Sequence, residues 1–152
     1  FFPAYYGDLS NALRQARQIE LNVPFFGGDG WDSPITLQLG AIANGCYYTN
    51  HYSAEDQRPE VQNFVKNFKA KYNEIPDAMA TLGYDAMLVM ADAVERAGSA
   101  DPAKIKQALA ATKNFKGATG SITIDENRNA KKPIVVLKLM DGKQSMVDSL
   151  MP

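Results

Sequence analysis

Leu9, Ala12, Leu13, Ala16 and Ile19 recur at the i, i+3, i+4, i+7 spacing that lays one apolar stripe along a helix. Asp8 or Ser10 stands where a side chain can cap its first amides, and Leu21-Asn22-Val23-Pro24 closes it. On either side, Phe1-Phe2-Pro3-Ala4-Tyr5 and Phe25-Phe26 are short apolar runs of the kind that strands make. The opening of the chain therefore predicts a strand, helix and strand with parallel neighbours whose carboxyl ends share one edge. Tyr5 and Asp29 both come just after strands at that edge, so they are expected to face one ligand although they are distant in sequence.

Further on, Ser33 or Asp32 caps a short helical segment through Leu39, Gly40 begins a loop, and Gly45 to Thr49 reads as a third strand. The polar run from Asn50 to Asp56 has no periodicity and reads as a connector. From Pro59, Val61, Phe64, Val65, Phe68 and Tyr72 mark a second amphipathic helix that stops before Pro76. Asp77 opens a third, from Ala78 to Ala97, whose apolar residues cover most of its circumference. It is expected to be buried on several sides. Gly98 stops it, and Asp101-Pro102 opens a fourth with Ile105, Ala108 and Leu109 on its apolar face. Strands come next at Ser121 to Ile124 and Pro133 to Met140, with a polar turn through Asp125 to Asn129 between them. Asp141-Gly142 is a hairpin turn into a last edge. The helical block of residues 59–112 between two β-bearing stretches is unusual for one compact domain, and a chain crossing between two lobes accounts for it.

Composition narrows the function more than the fold. The chain of 152 residues is 45% hydrophobic, and its net charge of -1 offers no electrostatic case for nucleic acid or an anionic membrane. Its single cysteine, Cys46, rules out an internal disulfide, and no apolar run reaches the ~18 residues of a membrane span. Phe1 to Tyr5 reads as a strand already under way, so a piece of a longer chain is expected. The stretch Phe26-Gly27-Gly28-Asp29-Gly30-Trp31 has the layout of a binding floor, with glycines for close approach, a fixed charge at Asp29 and a flat apolar wall at Trp31. A tight surface turn with incidental Asp and Trp is the alternative. No Gly-Lys-Ser/Thr comes after the glycines and the Asp among them would repel a phosphate, which argues against a phosphate loop.

His51 and Cys46 fall on opposite faces of an extended strand, so they are not expected to form a nucleophilic pair. Asp125, Asn127 and Asn129 imitate a calcium loop, but Ala130 and Val136 occupy its glycine and glutamate positions. The carboxylate pairs Asp29/Asp32 and Asp125/Glu126 have no acid–base partner nearby in sequence and are expected to be solvated. No catalytic residue, metal or cofactor is expected.

Taken in order, Pro3-Ala4-Tyr5-Tyr6, Leu13-Arg14-Gln15-Ala16-Arg17, Phe26-Gly27-Gly28-Asp29-Gly30-Trp31, Tyr48-Thr49-Asn50-His51-Tyr52, Gly83-Tyr84-Asp85-Ala86 and Gly120-Ser121-Ile122-Thr123-Ile124-Asp125 form a recognisable set. It resembles the C-terminal part of type I periplasmic solute-binding proteins of the branched-chain amino-acid (leucine/isoleucine/valine) group, which feed ABC importers. The resemblance implies an α/β fold of two lobes, with parallel sheets flanked by helices and joined by crossing strands, to both of which this C-terminal fragment contributes. Residues 1–51 and 130–152 would belong to the C-terminal lobe and residues 52–129 to the N-terminal lobe.

The resemblance further implies that Tyr5 packs on the ligand, that Asp29 binds its α-ammonium group and that Trp31 walls the side-chain pocket. The expected partners are a small amino acid, the ABC permease and the N-terminal half of the same protein, in the periplasm or on a lipid anchor outside the inner membrane. The same fold in a receptor or an amide-responsive regulator would make it a ligand sensor instead.

Overall fold

The computed structural model describes residues 1–151, which fall into two compact units. The first comprises residues 1–55 and 134–150, and residues 56–133 form the body of the second.

In the first unit, helix α1 (Tyr6–Gln18) covers a four-stranded sheet of order β1-β2-β6-β7, formed by β1 (Phe26–Gly27), β2 (Tyr47–Asn50), β6 (Ile134–Met140) and β7 (Lys143–Leu150). Parallel pairing is found between β1 and β2, not between the opening segment and β1 as the sequence predicts, whereas β6 and β7 add antiparallel strands. Leu9, Leu13 and Ala16 of α1 supply its buried stripe, and Val135, Leu137 and Leu139 of β6 supply the period-two row that meets Trp31, Cys46 and Tyr48 in the core. Each large side chain so buried contributes about 1.5–3 kcal/mol.

Two local expectations need correction. Neither Asp8 nor Ser10 caps α1, because the helix starts at Tyr6 with Tyr5 as its N-cap. Asp8 sits inside the first turn, where its charge favours the helix dipole, and Ser10 donates back to the Tyr6 carbonyl. The segment before Tyr5 forms no strand, and it bends where the Ala4 amide donates to the Phe2 carbonyl at 3.0 Å. The Phe2 amide donates to the Phe26 carbonyl at 2.8 Å, but Pro3 has no N–H and β1 is two residues long, so the ladder cannot extend. At its other end, α1 is closed by Glu20 in the left-handed region (φ 60°), with the Leu21 amide on the Ala16 carbonyl and the Glu20 amide on that of Arg17. The β6–β7 hairpin turns on Asp141 and Gly142, both at positive φ, as a two-residue loop requires.

In the second unit, helices α3 (Pro59–Tyr72), α4 (Ala78–Ala97) and α5 (Pro102–Ala110) precede a three-stranded antiparallel sheet of β3 (Phe115–Gly117), β4 (Gly120–Ile124) and β5 (Ala130–Lys131). The helix bounds agree with their signals. Asp77 accepts from the Ala80 amide at 2.8 Å, Asp101 accepts from the amides of Ala103 and Lys104, and Asn73 and Gly98 end α3 and α4 in the left-handed region.

Helix α4 departs from the expectation of burial on several sides. Its buried stripe is Ala78, Thr81, Asp85, Val89 and Ala93, while Met79 and Met87 are 56% and 69% exposed and Tyr84, Leu88, Met90 and Val94 also remain open. The buried stripe is made of small and polar residues, so the larger side chains are left on the opposite, open side of the helix. The turn at Asp125 is a closed hairpin: its Oδ1 accepts the amides of Asn127 and Asn129, so the carboxylate is spent on backbone.

Candidate functional site

The site grows from the β1 end. A Cβ at Gly27 would fall inside the indole of Trp31, so only glycine lets that ring tuck beneath the strand. Trp31 is entirely buried, its Nε1 donates to the Phe2 carbonyl at 3.3 Å, and its own carbonyl accepts from Thr36 Oγ1 at 2.6 Å. The short α2 helix (Pro34–Leu37), capped by Ser33, carries Thr36. Trp31 thus anchors the 3₁₀ turn Asp29–Trp31 from below and does not stand as an exposed wall.

On the outer side of that turn, the Asp29 side chain is 49% exposed, and the Tyr5 ring lies across Gly30. The position of a Cβ on Gly30 is 3.1 Å from Tyr5 Cδ1. Tyr5 is itself 68% exposed. The structure therefore brings Tyr5 and Asp29 to one rim, with Trp31 under it.

Sequence reasoning missed the third side chain there. His51 Nε2 lies 3.1 Å from Asp29 Oδ2, a partner distant in sequence for a carboxylate that has none nearby in the chain and is, as expected, half exposed. The signal was topological: β1 and β2 are parallel with Phe26 opposite Tyr47 and Gly27 opposite Tyr48, so residues just past Asn50 emerge beside those just past Gly28. His51 is steadied by its backbone amide, which donates to Oδ1 of the buried Asn50. Cys46 is elsewhere, fully buried and accepting the Phe25 amide at 3.4 Å, so it is a core residue.

The second carboxylate of the stretch, Asp32, has a different neighbour: the Tyr48 hydroxyl lies 3.3 Å from its Oδ1 and also hydrogen-bonds Gln144. Burial first, and then the charge of Asp32, push the Tyr48 phenol far above its ordinary value. Tyr48 is therefore a neutral buried donor at the rim's base.

An exposed carboxylate beside an aromatic ring, at the carboxyl ends of parallel strands and over a rigid buried anchor, is the layout of a small-molecule-binding α/β protein. The chain belongs to the periplasmic binding protein family, whose model matches residues 2–144, and it has the α/β fold of the type I proteins. It is 35% identical over 133 residues to the leucine-, isoleucine-, valine-, threonine- and alanine-binding protein of Pseudomonas aeruginosa, covering 86% of this chain and 35% of that protein. A leucine-binding protein, LivK, from Thermotoga maritima superposes with a TM-score of 0.90 at 38% identity, covering 99% of this chain and 43% of that one. LivJ of Streptococcus pneumoniae, a branched-chain amino acid transporter substrate-binding protein crystallised with isoleucine, gives 0.86 at 29% identity with the same coverage. The chain thus spans about a third of the Pseudomonas protein and less than half of each solved structure.

Proposed function

We propose that this chain is part of the solute-binding component of an ABC importer that captures a small apolar amino acid between two lobes and delivers it to the permease. The unit holding Tyr5 and Asp29, residues 1–55 and 134–150, is the C-terminal-lobe portion. Residues 56–133 contribute to the N-terminal lobe, and the remainder of that lobe comes from sequence outside these residues. In this reading the protein works outside the inner membrane, free in the periplasm or lipid-anchored.

The observation that carries the reading is the exposed Tyr5 ring lying across Gly30, the residue next to the half-exposed Asp29. Asp29 takes the α-ammonium group, Tyr5 packs on the aliphatic body, and Trp31 fixes the turn that holds both. The relatives' named ligands, leucine, isoleucine and valine among them, supply the class.

Calorimetry with leucine, isoleucine and valine on the full-length protein tests it. Asp29→Asn keeps the shape and removes the charge, and is expected to cost about 2–5 kcal/mol of binding, since a buried ammonium loses its counter-charge. Unchanged affinity in that variant would overturn the assignment of Asp29.

A further inference from the structure

A carboxylate on a three-residue 3₁₀ turn, half exposed, would ordinarily sample a broad range about its last torsion. Asp29 is held differently. His51 engages Oδ2 at 3.1 Å from the neighbouring strand, while Asp29 Oδ1 accepts no hydrogen bond from any described residue. An ionised carboxylate has only acceptors, so the His51 nitrogen that faces it is the donor. The imidazole is seated in turn: it comes directly after the last residue of β2, and its amide is tied to Asn50, which is 2% exposed. One oxygen of Asp29 is therefore committed to the protein and the other is left for a ligand.

From this geometry we infer that His51 is a positioning residue that fixes the Asp29 carboxylate to receive the ammonium group of an amino acid, and so sets the preference for amino acids over the corresponding carboxylic acids. The inference rests on the proposed role of Asp29 as the ammonium-binding group. Its physical content is preorganisation. A carboxylate already locked in its bound rotamer loses less freedom when the ligand arrives, and a donor engaged on one oxygen leaves the other to the ammonium. The gain falls only on ligands that carry the ammonium, because a ligand lacking it makes no use of the free oxygen.

The experiment compares L-leucine with 4-methylpentanoate, which is leucine without its amino group, on the full-length protein and its His51→Ala, His51→Gln and Asp29→Asn variants. Removing one positioned hydrogen bond in His51→Ala is expected to weaken leucine roughly 3- to 10-fold while leaving 4-methylpentanoate unchanged. His51→Gln, which retains an amide donor at similar reach, is expected to recover most of the leucine affinity. His51→Phe keeps the ring without the donor, and stands in with the same expectation as His51→Ala should the alanine variant not fold.

Equal weakening of both ligands would mean that His51 acts only through folding, and unchanged leucine affinity would mean that it does not position Asp29; either result overturns the inference. If Asp29→Asn loses leucine while the His51 variants do not, this inference falls and the assignment of Asp29 stands. If Asp29→Asn also binds leucine as well as the parent protein does, both fall.

Discussion

A methyl group added at Gly27 would lie inside the Trp31 indole, while one at Gly30 would meet the edge of the Tyr5 ring at 3.1 Å. The two neighbours differ in their freedom to yield: Trp31 is fully buried and bonded at both its ring nitrogen and its carbonyl, whereas Tyr5 is largely exposed. Gly27→Ala is therefore expected to destabilise the fold by about 1–3 kcal/mol or more, read as a lowered denaturation midpoint. Gly30→Ala, whose Cβ would also come within 3.3 Å of the Ala4 carbonyl, should lower that midpoint less than Gly27→Ala and shift ligand affinity through Tyr5. Tyr48 makes a prediction in pH. Its folded value is raised above that of an unfolded tyrosine, about 10, because burial and then Asp32 disfavour the phenolate. The neutral form is the one the fold favours, so its contribution is whole below about pH 10 and is lost as pH rises beyond that. Denaturant titrations on either side of pH 10 should show the wild type losing more stability than Tyr48→Phe; parallel losses would show that Tyr48 is not the group responsible.

At the scale of elements, helices were the legible part of the chain because each carries its own punctuation: Asp77 before α4, Asp101-Pro102 before α5, Pro59 at the head of α3 and Gly98 after α4. The β3–β4 hairpin was half read. Gly120 to Ile124 shows the alternation of a strand, but Phe115-Lys116-Gly117 is too short to show a period, and what holds its turn lies in α4. Buried Asp85 accepts the amides of Ala118 and Thr119 at 2.8 and 2.7 Å and the Thr119 hydroxyl at 2.7 Å, and Gly117 is bare because a Cβ there would strike that carboxylate. Arg58 adds a second grip on the carbonyls of Gly117 and Ala118. Lys132 completes the charged surroundings; burial lowers its pKa against the opposing pull of Asp85, with Arg58 lowering it further. Asp85→Ala should leave two buried amides without partners at about 1–3 kcal/mol each, with faster hydrogen exchange at Ala118 and Thr119 than elsewhere in the sheet. The same cause hid part of the site. Tyr5 and Asp29 stand just beyond apolar runs that a reader of the sequence can pick out, whereas His51 needed the β1–β2 register, which no local pattern encodes.

At the scale of the whole molecule, the decisive feature is the uncovered side of α4. Met79, Tyr84, Met87, Leu88, Met90 and Val94 lie open on it, and from α3 the Phe64 ring stacks on Tyr84, with ring centroids 4.4 Å apart. Each large apolar side chain left in water forgoes about 1.5–3 kcal/mol, a serious loss for a domain whose net stability is about 5–15 kcal/mol. The solved relatives that superpose on this chain are more than twice its length, which supports the proposal that residues of the functional protein outside these 152 cover that side. Two substitutions should then act with opposite sign in the two contexts. In the 152-residue chain alone, Met87→Lys and Val94→Lys should raise solubility and reduce binding of a hydrophobic dye, because they charge a surface exposed to water. In the full-length protein the same changes should lower the melting temperature, because a buried lysine must be desolvated without a counter-charge. If the chain alone is monomeric, melts cooperatively and binds no dye, and if the lysine variants are neutral in the longer protein, then this side of α4 is a true outer surface and the proposed covering is wrong.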